Sequence, residues 1–297
     1  MTETPLLNEI GEAVRRAAAA AEPSLAAVGG SWRGASGVVL GPGLVLTTAR
    51  AVHREAPRVR VGAGEPAEGR VLGVDADANL GVVAADTGDA PQLEWAREPA
   101  GVGEPVFAVG ALPGGGLRVT FGLVSAVDRS YRGPRGRRIT GSIEHTAAVG
   151  RGSSGGPLLN GGGHLVGLTS VRLDGGLALA VAADSSLRDR AQALARGESP
   201  ARRSLGVSVL PPRMARRMRR NVGLSDRPGL LVRDVEDGSP ADRAGLLGGD
   251  LIAAAAGSPV TSADDLYAAL DAAAESGSLR LGLVRGEQER DVDVSFH

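Results

Sequence analysis

Short apolar runs separated by glycine and proline fill residues 25–183 of the chain. Runs such as SGVVLGPGLVLT and LRVTFGLVSAV last only a few residues, and no long helical pattern lies between them. About ten such runs at fairly regular spacing are typical of an antiparallel barrel or sandwich. The pattern therefore predicts a mostly β domain over this part of the chain.

A helical pattern then closes the β-rich region. Asp184 or Ser185 can cap this helix, and its apolar face carries Leu187, Ala191 and Leu194. Gly197 and Pro200 end it, so we expect a linker over residues 197–204. Residues 1–24 are expected to form an N-terminal helical segment.

Strands and helices alternate from residue 205 to 297, which predicts a second, smaller α+β domain. Ser239 is a natural N-cap with Pro240 at the first helical position. Ser262 and Asp265 approximate a capping box at the start of the next helix.

The amino-acid composition argues against several fold classes and kinds of functional site. The 297 residues include 45 Gly and 17 Pro, which argues against a helical bundle, and aromatic residues make up 2%, so base-stacking surfaces are scarce. With no cysteine and four scattered histidines, we expect no disulfide, no thiol nucleophile, no metal site and no cofactor. The formal charge of −1 gives no global attraction to nucleic acid or to anionic membranes.

The N-terminal residues argue against an export signal. Glu3, Glu9 and Glu12 precede the Arg15-Arg16 pair, and the alanine run after it stops at Glu22. No apolar run approaches the length of a membrane span. We therefore expect a cytoplasmic protein that does not enter the membrane.

The segment GRGSSGGPLLN, residues 150–160, is the strongest candidate for chemistry. A nucleophilic serine works best on a tight glycine-lined turn, because backbone N–H groups must converge on the oxyanion that develops. Ser154 lies in such a turn. Taken alone, the string is also typical of an ordinary Gly-Ser hairpin.

Four segments in order resolve this choice: residues 34–52, 74–83, 105–127 and 143–171. Together they resemble the trypsin-like protease domain of the HtrA/DegP family, and the C-terminal part resembles that family's PDZ domain. The resemblance implies a trypsin-like double antiparallel β-barrel at residues 25–196 and a PDZ domain at residues 205–297. It also implies a homo-oligomer, since the family often forms trimers.

The resemblance assigns Ser154 to the nucleophile position and Gly152 to the oxyanion hole. The family's catalytic histidine position holds Arg50, and its triad aspartate position holds Asn79. A guanidinium stays protonated near neutral pH and has no acceptor lone pair, so Arg50 cannot be the general base. A neutral amide at position 79 cannot stabilise an imidazolium. Whether the chain is an enzyme is therefore left open, and we expect an inactive site.

Other residues near the lost triad were considered as substitutes. His53 lies three residues beyond Arg50, about one helical turn away, and could act only if that turn were rebuilt. His145 and His164 are interpreted as structural or surface residues, and Asp75 and Asp77 as acids off register.

The PDZ resemblance implies a peptide-binding groove. Residues Ser204, Leu205, Gly206 and Val207 match the loop that binds a peptide C-terminus, whose carboxylate sits in a nest of backbone N–H groups. Leu266 and Leu270 on the following helix are expected to face the groove. The expected partners are protein or peptide C-termini.

Three functions remain open at this point. The first is a pseudoprotease that binds peptides as an adaptor, scaffold or quality-control binder, and the second is an active serine endopeptidase with a non-standard base. The third is recruitment of acidic partners by two arginine clusters, which are otherwise interpreted as solvated faces. These clusters are Arg129, Arg132, Arg135, Arg137 and Arg138, and Arg213, Arg216, Arg217, Arg219 and Arg220.

Overall fold

The computed structural model describes residues 5–29, 34–52, 56–133, 136–199, 204–273 and 276–296, without the side chains of residues 5–7 and 174. The chain divides into two compact units, Met1–Pro200 and Ala201–His297. Each unit has a mostly antiparallel β architecture, so the predicted β-rich fold class is confirmed.

The first sheet of unit 1 contains seven strands in the order β5-β4-β1-β2-β3-β7-β6 among the described residues. All its pairings are antiparallel, and its central strands are buried on both faces. The strands are β1 (Leu25–Val28), β2 (Ala35–Gly41), β3 (Leu44–Thr47), β4 (Arg58–Val61), β5 (Ala67–Glu68), β6 (Arg70–Asp75) and β7 (Leu80–Ala84). A short 3-10 helix, Ala49–Val52, follows β3.

The second sheet of unit 1 closes into a six-stranded barrel, in the order β10-β13-β12-β11-β8-β9. Alternate positions along β9 are exposed, which is the period-2 pattern expected of a strand with one wet face. The strands are β8 (Pro105–Ala111), β9 (Leu117–Arg132), β10 (Arg138–His145), β11 (Pro157–Asn160), β12 (Leu165–Arg172) and β13 (Ala178–Ala182).

Two helices pack onto these sheets. Helix α2 (Ser185–Ala195) begins as predicted, because the Asp184 side chain accepts a hydrogen bond from the Leu187 N–H at 2.8 Å. Its predicted apolar face is buried against β6 and β7. Capping and burial together hold this helix on the first sheet.

The N-terminal helix α1 (Pro5–Ala21) belongs to the core of unit 1. It packs against β8, β9 and β11, with Ala17 and Ala21 fully buried in the cluster that also contains Phe107. Alanine has no side chain beyond Cβ, so a stripe of alanines lets the helix lie close to the barrel. Helix α1 thus lies within the N-terminal helical segment predicted over residues 1–24, and it is packed into unit 1.

Unit 2 is a six-stranded sheet with three helices among its described residues. Its path is β14-β15-β16-β18-β19, with β17 paired to β16. The strands are β14 (Val207–Leu210), β15 (Leu230–Val235), β16 (Leu251–Ala255), β17 (Ser258–Pro259), β18 (Ser278–Arg285) and β19 (Gln288–Ser295), and the helices are α3 (Pro212–Asn221), α4 (Pro240–Arg243) and α5 (Ala263–Ala272).

The predicted caps of unit 2 are confirmed. The Ser239 side chain accepts from the Asp242 N–H at 3.2 Å, and Pro240 begins α4. Ser262 and Asp265 form a reciprocal capping box at α5, where each side chain accepts from the other residue's backbone N–H.

The arginine clusters are less solvated than expected. Arg137 is 7% exposed and pairs with Asp77 at 3.1 Å, and Arg129 pairs with Glu144 at 3.1 Å. Arg219 on α3 is 2% exposed and donates to the Ser225 and Gly286 carbonyls. The first cluster lies largely on the β9–β10 hairpin rather than in a loop, and Arg135 lies outside the described residues. Thus part of each cluster supports the fold.

His145 is the clearest buried titratable group of unit 1. It ends β10, pairs with Ala178 and Val124 of the neighbouring strands, and has no exposed surface. Burial lowers the pKa of His145 to about 4, against a smaller opposing effect from the Ala147 backbone.

This pKa predicts acid sensitivity of unit 1. The unfolded chain binds a proton at His145 below about pH 6.5, whereas the folded chain does not until about pH 4. The contribution of neutral His145 to the free energy of unfolding is therefore complete above about pH 6.5. About 3 kcal/mol of this free energy is lost as the pH falls towards 4. His145→Leu should remove this part of the pH dependence, as measured by urea unfolding at several pH values.

Tryptophan fluorescence is a suitable signal, because both tryptophans, Trp32 and Trp95, fall within residues 1–200. His164→Leu controls for loss of a histidine at the surface. An unchanged pH dependence in His145→Leu contradicts the assignment.

Candidate functional site

The turn that carries Ser154 is held between the two sheets of unit 1. The Ser154 carbonyl accepts a hydrogen bond from the Ser36 N–H of β2 at 2.8 Å. On the other side, the Gly155 N–H donates to the Thr169 carbonyl of β12 at 2.7 Å. The turn therefore has one partner in each sheet.

Glycine is required in this turn. Gly155 has φ +83°, and a Cβ there would lie 2.2 Å from the Ser36 carbonyl oxygen and 2.7 Å from Thr47 Oγ1. Any larger residue would combine left-handed strain with a collision against the backbone of β2. The glycine is thus explained by the fit of the turn, independently of catalysis.

The Ser154 hydroxyl has two partners. Its Oγ lies 3.1 Å from Thr48 Oγ1 and donates to the Ser170 carbonyl at 3.3 Å. Neither a hydroxyl nor a backbone carbonyl is a general base near neutral pH. Within the described part of the chain, the N–H groups of Gly152 and Ser154 donate to no protein acceptor, so both can receive an external oxygen atom.

The Gly152 carbonyl is fixed by a buried serine. Ser36 Oγ donates to this carbonyl at 2.7 Å and accepts from the Ala111 N–H at 2.9 Å. Ser36 is fully buried, so this relay joins β2, β8 and the turn without water. It fixes the plane of the peptide that follows Gly152.

Asn79 lies in a buried polar network with Ser170 and Tyr131. It is 1% exposed with φ +56°, and its Nδ2 donates to Ser170 Oγ at 2.8 Å. Ser170 Oγ also shares a hydrogen bond with the Tyr131 hydroxyl. Burial raises the pKa of Tyr131, and the bonds to Ser170 and Asn79 and the charge of Arg50 oppose this shift. The phenol therefore stays neutral near pH 7.

Arg50 is exposed on the short helix Ala49–Val52, two residues after Thr48. Its positive charge lowers the pKa of Tyr131, against the larger effect of burial. Ser170 joins two of the assigned positions, since its Oγ accepts from Asn79 and its carbonyl accepts from Ser154. The resemblance assigns Arg50 and Asn79 to the histidine and aspartate positions of a triad, and neither side chain can accept a proton near neutral pH.

Asp75, Asp77 and His164 have partners away from Ser154 among the described residues. Asp75 pairs with Arg190 at 3.2 Å and Asp77 with Arg137 at 3.1 Å, and His164 lies 3.4 Å from Glu94 at the surface. His145 is buried in the barrel strand β10. His53 and His297 lie outside the described residues.

Unit 2 offers a sheet edge and a loop. Strand β14 forms one edge of its sheet, pairing with β15 in the register Val207↔Val235. The loop before it is tied down by Leu205 and Gly206, whose carbonyls accept from the Ala241 and Glu236 N–H groups at 2.9 and 2.8 Å. An edge strand after a fixed loop is the arrangement to which an extended peptide adds.

Comparison with known proteins agrees with both units. The model of the trypsin-like peptidase domain matches residues 35–168, and a PDZ domain model matches residues 231–285. The putative serine protease HhoB of Synechocystis is 30% identical over 274 residues, covering 87% of this chain and 65% of the relative. Serine protease HTRA2 of Bos taurus is 32% identical, covering 86% of this chain and 58% of the relative.

The chain belongs to the HtrA/DegP-like family. It spans about two-thirds or less of the length of those two relatives. The HtrA-type protease AlgW, solved with a decapeptide, matches with a TM-score of 0.61 at 21% identity, covering 95% of this chain and 97% of that structure. The serine endoprotease of Yersinia pestis matches with a TM-score of 0.60 at 23% identity, covering 95% and 96%. These structures support the fold alone.

Sequence reasoning missed three residues of this HtrA-like site. Thr48, Ser170 and Tyr131 contact Ser154 or Asn79, although none of them stands at a triad position. The signal for Thr48 was its place two residues before Arg50. Ser170 and Tyr131 carried no local signal, because their contacts join distant strands.

The structure corrects the expectation for Leu266 and Leu270. They are 5% and 3% exposed and belong to the hydrophobic core of unit 2. Helix α5 is amphipathic, and these two positions make up its inward stripe, whereas Tyr267 is partly exposed. Thus they do not line an open groove.

Two further observations concern metal sites and membrane-spanning helices. Across the described ranges, no group of three or more His, Asp or Glu is placed to hold a metal ion. No helix in that same part of the protein has the length and apolar character to span a membrane.

The Ser154 turn generates a stability prediction. Gly155→Ala should lower the free energy of unfolding of unit 1 by roughly 2–5 kcal/mol, from left-handed strain and overpacking. Gly161→Ala is the matched control, because a Cβ at Gly161 meets nothing within 4 Å. Urea unfolding followed by tryptophan fluorescence measures both variants, and equal stabilities contradict the predicted collision.

Proposed function

We propose that this HtrA-like protein is a pseudoprotease that binds protein C-termini or exposed peptide segments through unit 2. In this role it acts as an adaptor, scaffold or quality-control binder. One observation carries the proposal: the Ser154 hydroxyl is bonded to Thr48 and to the Ser170 carbonyl, and the triad positions hold Arg50 and Asn79.

The chemistry of these groups supports the loss of turnover. The Arg50 guanidinium cannot accept the Ser154 proton, so the alcohol stays a weak nucleophile. Removing the base from such a triad costs a factor on the order of 10^6 in turnover. The Asn79 amide donates to Ser170 at 2.8 Å and carries no charge that would hold an imidazolium.

The edge of unit 2 supports the peptide-binding role. A peptide added beside β14 would gain main-chain hydrogen bonds along a strand of four residues, Val207–Leu210. Its terminal carboxylate would meet the loop Ser204–Val207, where Gly206 has φ +76°. Successive N–H groups in such a loop form an anion-binding concavity.

An active serine endopeptidase is the second candidate. The intact turn favours it, because the N–H groups of Gly152 and Ser154 can still receive an oxyanion. The related proteins named as serine proteases favour it as well. This function would require a base other than Arg50, and His53 is the candidate.

Assembly and location complete the proposal. We infer a homo-oligomer, a trimer by the family resemblance, and a cytoplasmic location, although one relative is named a periplasmic endoprotease. Nucleic acid and membranes are not among the proposed partners.

Labelling with a fluorophosphonate probe tests the active site. Wild type should not react, because no base activates Ser154, whereas the Arg50→His/Asn79→Asp double variant should gain labelling and casein digestion. Asparagine and aspartate both tolerate positive φ, so the backbone at residue 79 can accept the change. The measurements are in-gel fluorescence and release of casein fragments.

Ser154→Ala is the matched control in both backgrounds. If wild type labels and digests casein while Ser154→Ala does neither, the protein is an endopeptidase. Labelling confined to the double variant supports the pseudoprotease.

A second test concerns the C-terminal carboxylate. A fluorescent pool of decapeptides with four randomised last residues should bind the full chain at least about tenfold more tightly as free acids than as amides, because only the acids can bond to the loop. Gly206→Ala should weaken binding of the free-acid peptides, because the added Cβ would lie 2.2 Å from Ser239 Cβ and displace the loop. Equal binding of acids and amides contradicts C-terminal capture.

A further inference from the structure

An open cavity lies in unit 1, beside the turn that carries Ser154. Its volume is about 630 Å³, within the range of ligand-binding clefts. Gly152 and Ala111 form the side nearest the Ser154 turn, and Arg58, Arg60 and Arg151 line it with their guanidinium-bearing side chains. No acidic residue is among the described residues that line it.

The three arginines have no carboxylate partner among the described residues. Arg58 donates to the Pro66 carbonyl at 3.0 Å and Arg60 to the Leu112 carbonyl at 3.2 Å. Arg151 is exposed and makes no ion pair with any described residue. Three like charges at one opening repel one another, and a bound anion reverses that cost with charge-assisted hydrogen bonds.

This cavity differs from the two arginine clusters identified in the sequence. Several members of those clusters already have acidic partners: Arg129 with Glu144, Arg137 with Asp77 and Arg216 with Asp226. Arg58 and Arg60 lie on β4, whereas Arg151 immediately precedes Gly152 and is far from them in the sequence. Their convergence is a property of the tertiary structure.

We propose that this cavity binds acidic side chains of an extended polypeptide. The two bonds to Pro66 and Leu112 orient Arg58 and Arg60, and their remaining N–H groups can reach carboxylates. The rest of the lining consists of glycine, alanine, leucine and proline, which suits the aliphatic part of Glu or Asp. No aromatic residue is among the lining residues that the structure describes.

The proposal goes beyond capture of C-termini by unit 2. It assigns a binding site to unit 1, next to the turn, and it recognises side-chain carboxylates rather than a terminal one. An acidic segment held there would lie beside Ser154 without needing catalysis.

Fluorescence anisotropy with the full chain tests the site. The probe is a labelled decapeptide of alternating Glu and Ala with an amidated C-terminus, which removes the terminal carboxylate that unit 2 would bind. Arg58→Gln/Arg151→Gln should weaken its binding at least about tenfold, and raised salt should weaken wild-type binding. The Gln-for-Glu peptide should not bind measurably at the same concentrations.

The matched control is Arg97→Gln/Arg172→Gln, which removes two exposed charges elsewhere in unit 1. It should bind like wild type, and tryptophan fluorescence should show that both double variants are folded. Equal weakening in the two double variants, or equal binding of the Glu and Gln peptides, overturns the proposal. If inorganic phosphate competes at concentrations similar to those of the peptide, the cavity is a site for small anions. That outcome also overturns the proposal. None of these outcomes depends on whether unit 2 captures C-termini.

Discussion

The Ser154 turn has a structural role that does not depend on hydrolysis. It donates to β12 and accepts from β2, and the Gly155 position has no space for a side chain between those strands. Losing this turn would therefore cost these two hydrogen bonds, one to each sheet of unit 1. This requirement accounts for the glycine of the turn independently of catalysis.

The electrostatics of the site agree with that interpretation. An ionised aspartate at residue 79 would be almost fully buried, and removing its charge from water would be costly. The Asn79 amide instead donates to Ser170, and the neutral Tyr131 hydroxyl completes the network. Residue 79 therefore brings no buried charge into this network.

The features that could bind a polypeptide are separate from the groups that hydrolysis would need. The N–H groups of Gly152 and Ser154, the edge of β14 and the arginine-lined cavity are all recognition features, and none requires a base. Two of them lie in unit 1 and one in unit 2. Under the proposed function, a polypeptide held by these features would stay bound for as long as the contacts last.

The amino-acid sequence by itself determined the local features of this protein. The caps at Asp184, Ser239 and Ser262 could be predicted because each involves residues three positions apart. The residue types at the triad positions are also sequence facts. The tertiary structure decided the rest: Thr48 meets Ser154 across 106 residues and Asn79 meets Ser170 across 91. Such contacts depend on strand register and sheet closure, which no local pattern specifies, and the same reason explains the unforeseen burial of Arg219 and Leu266.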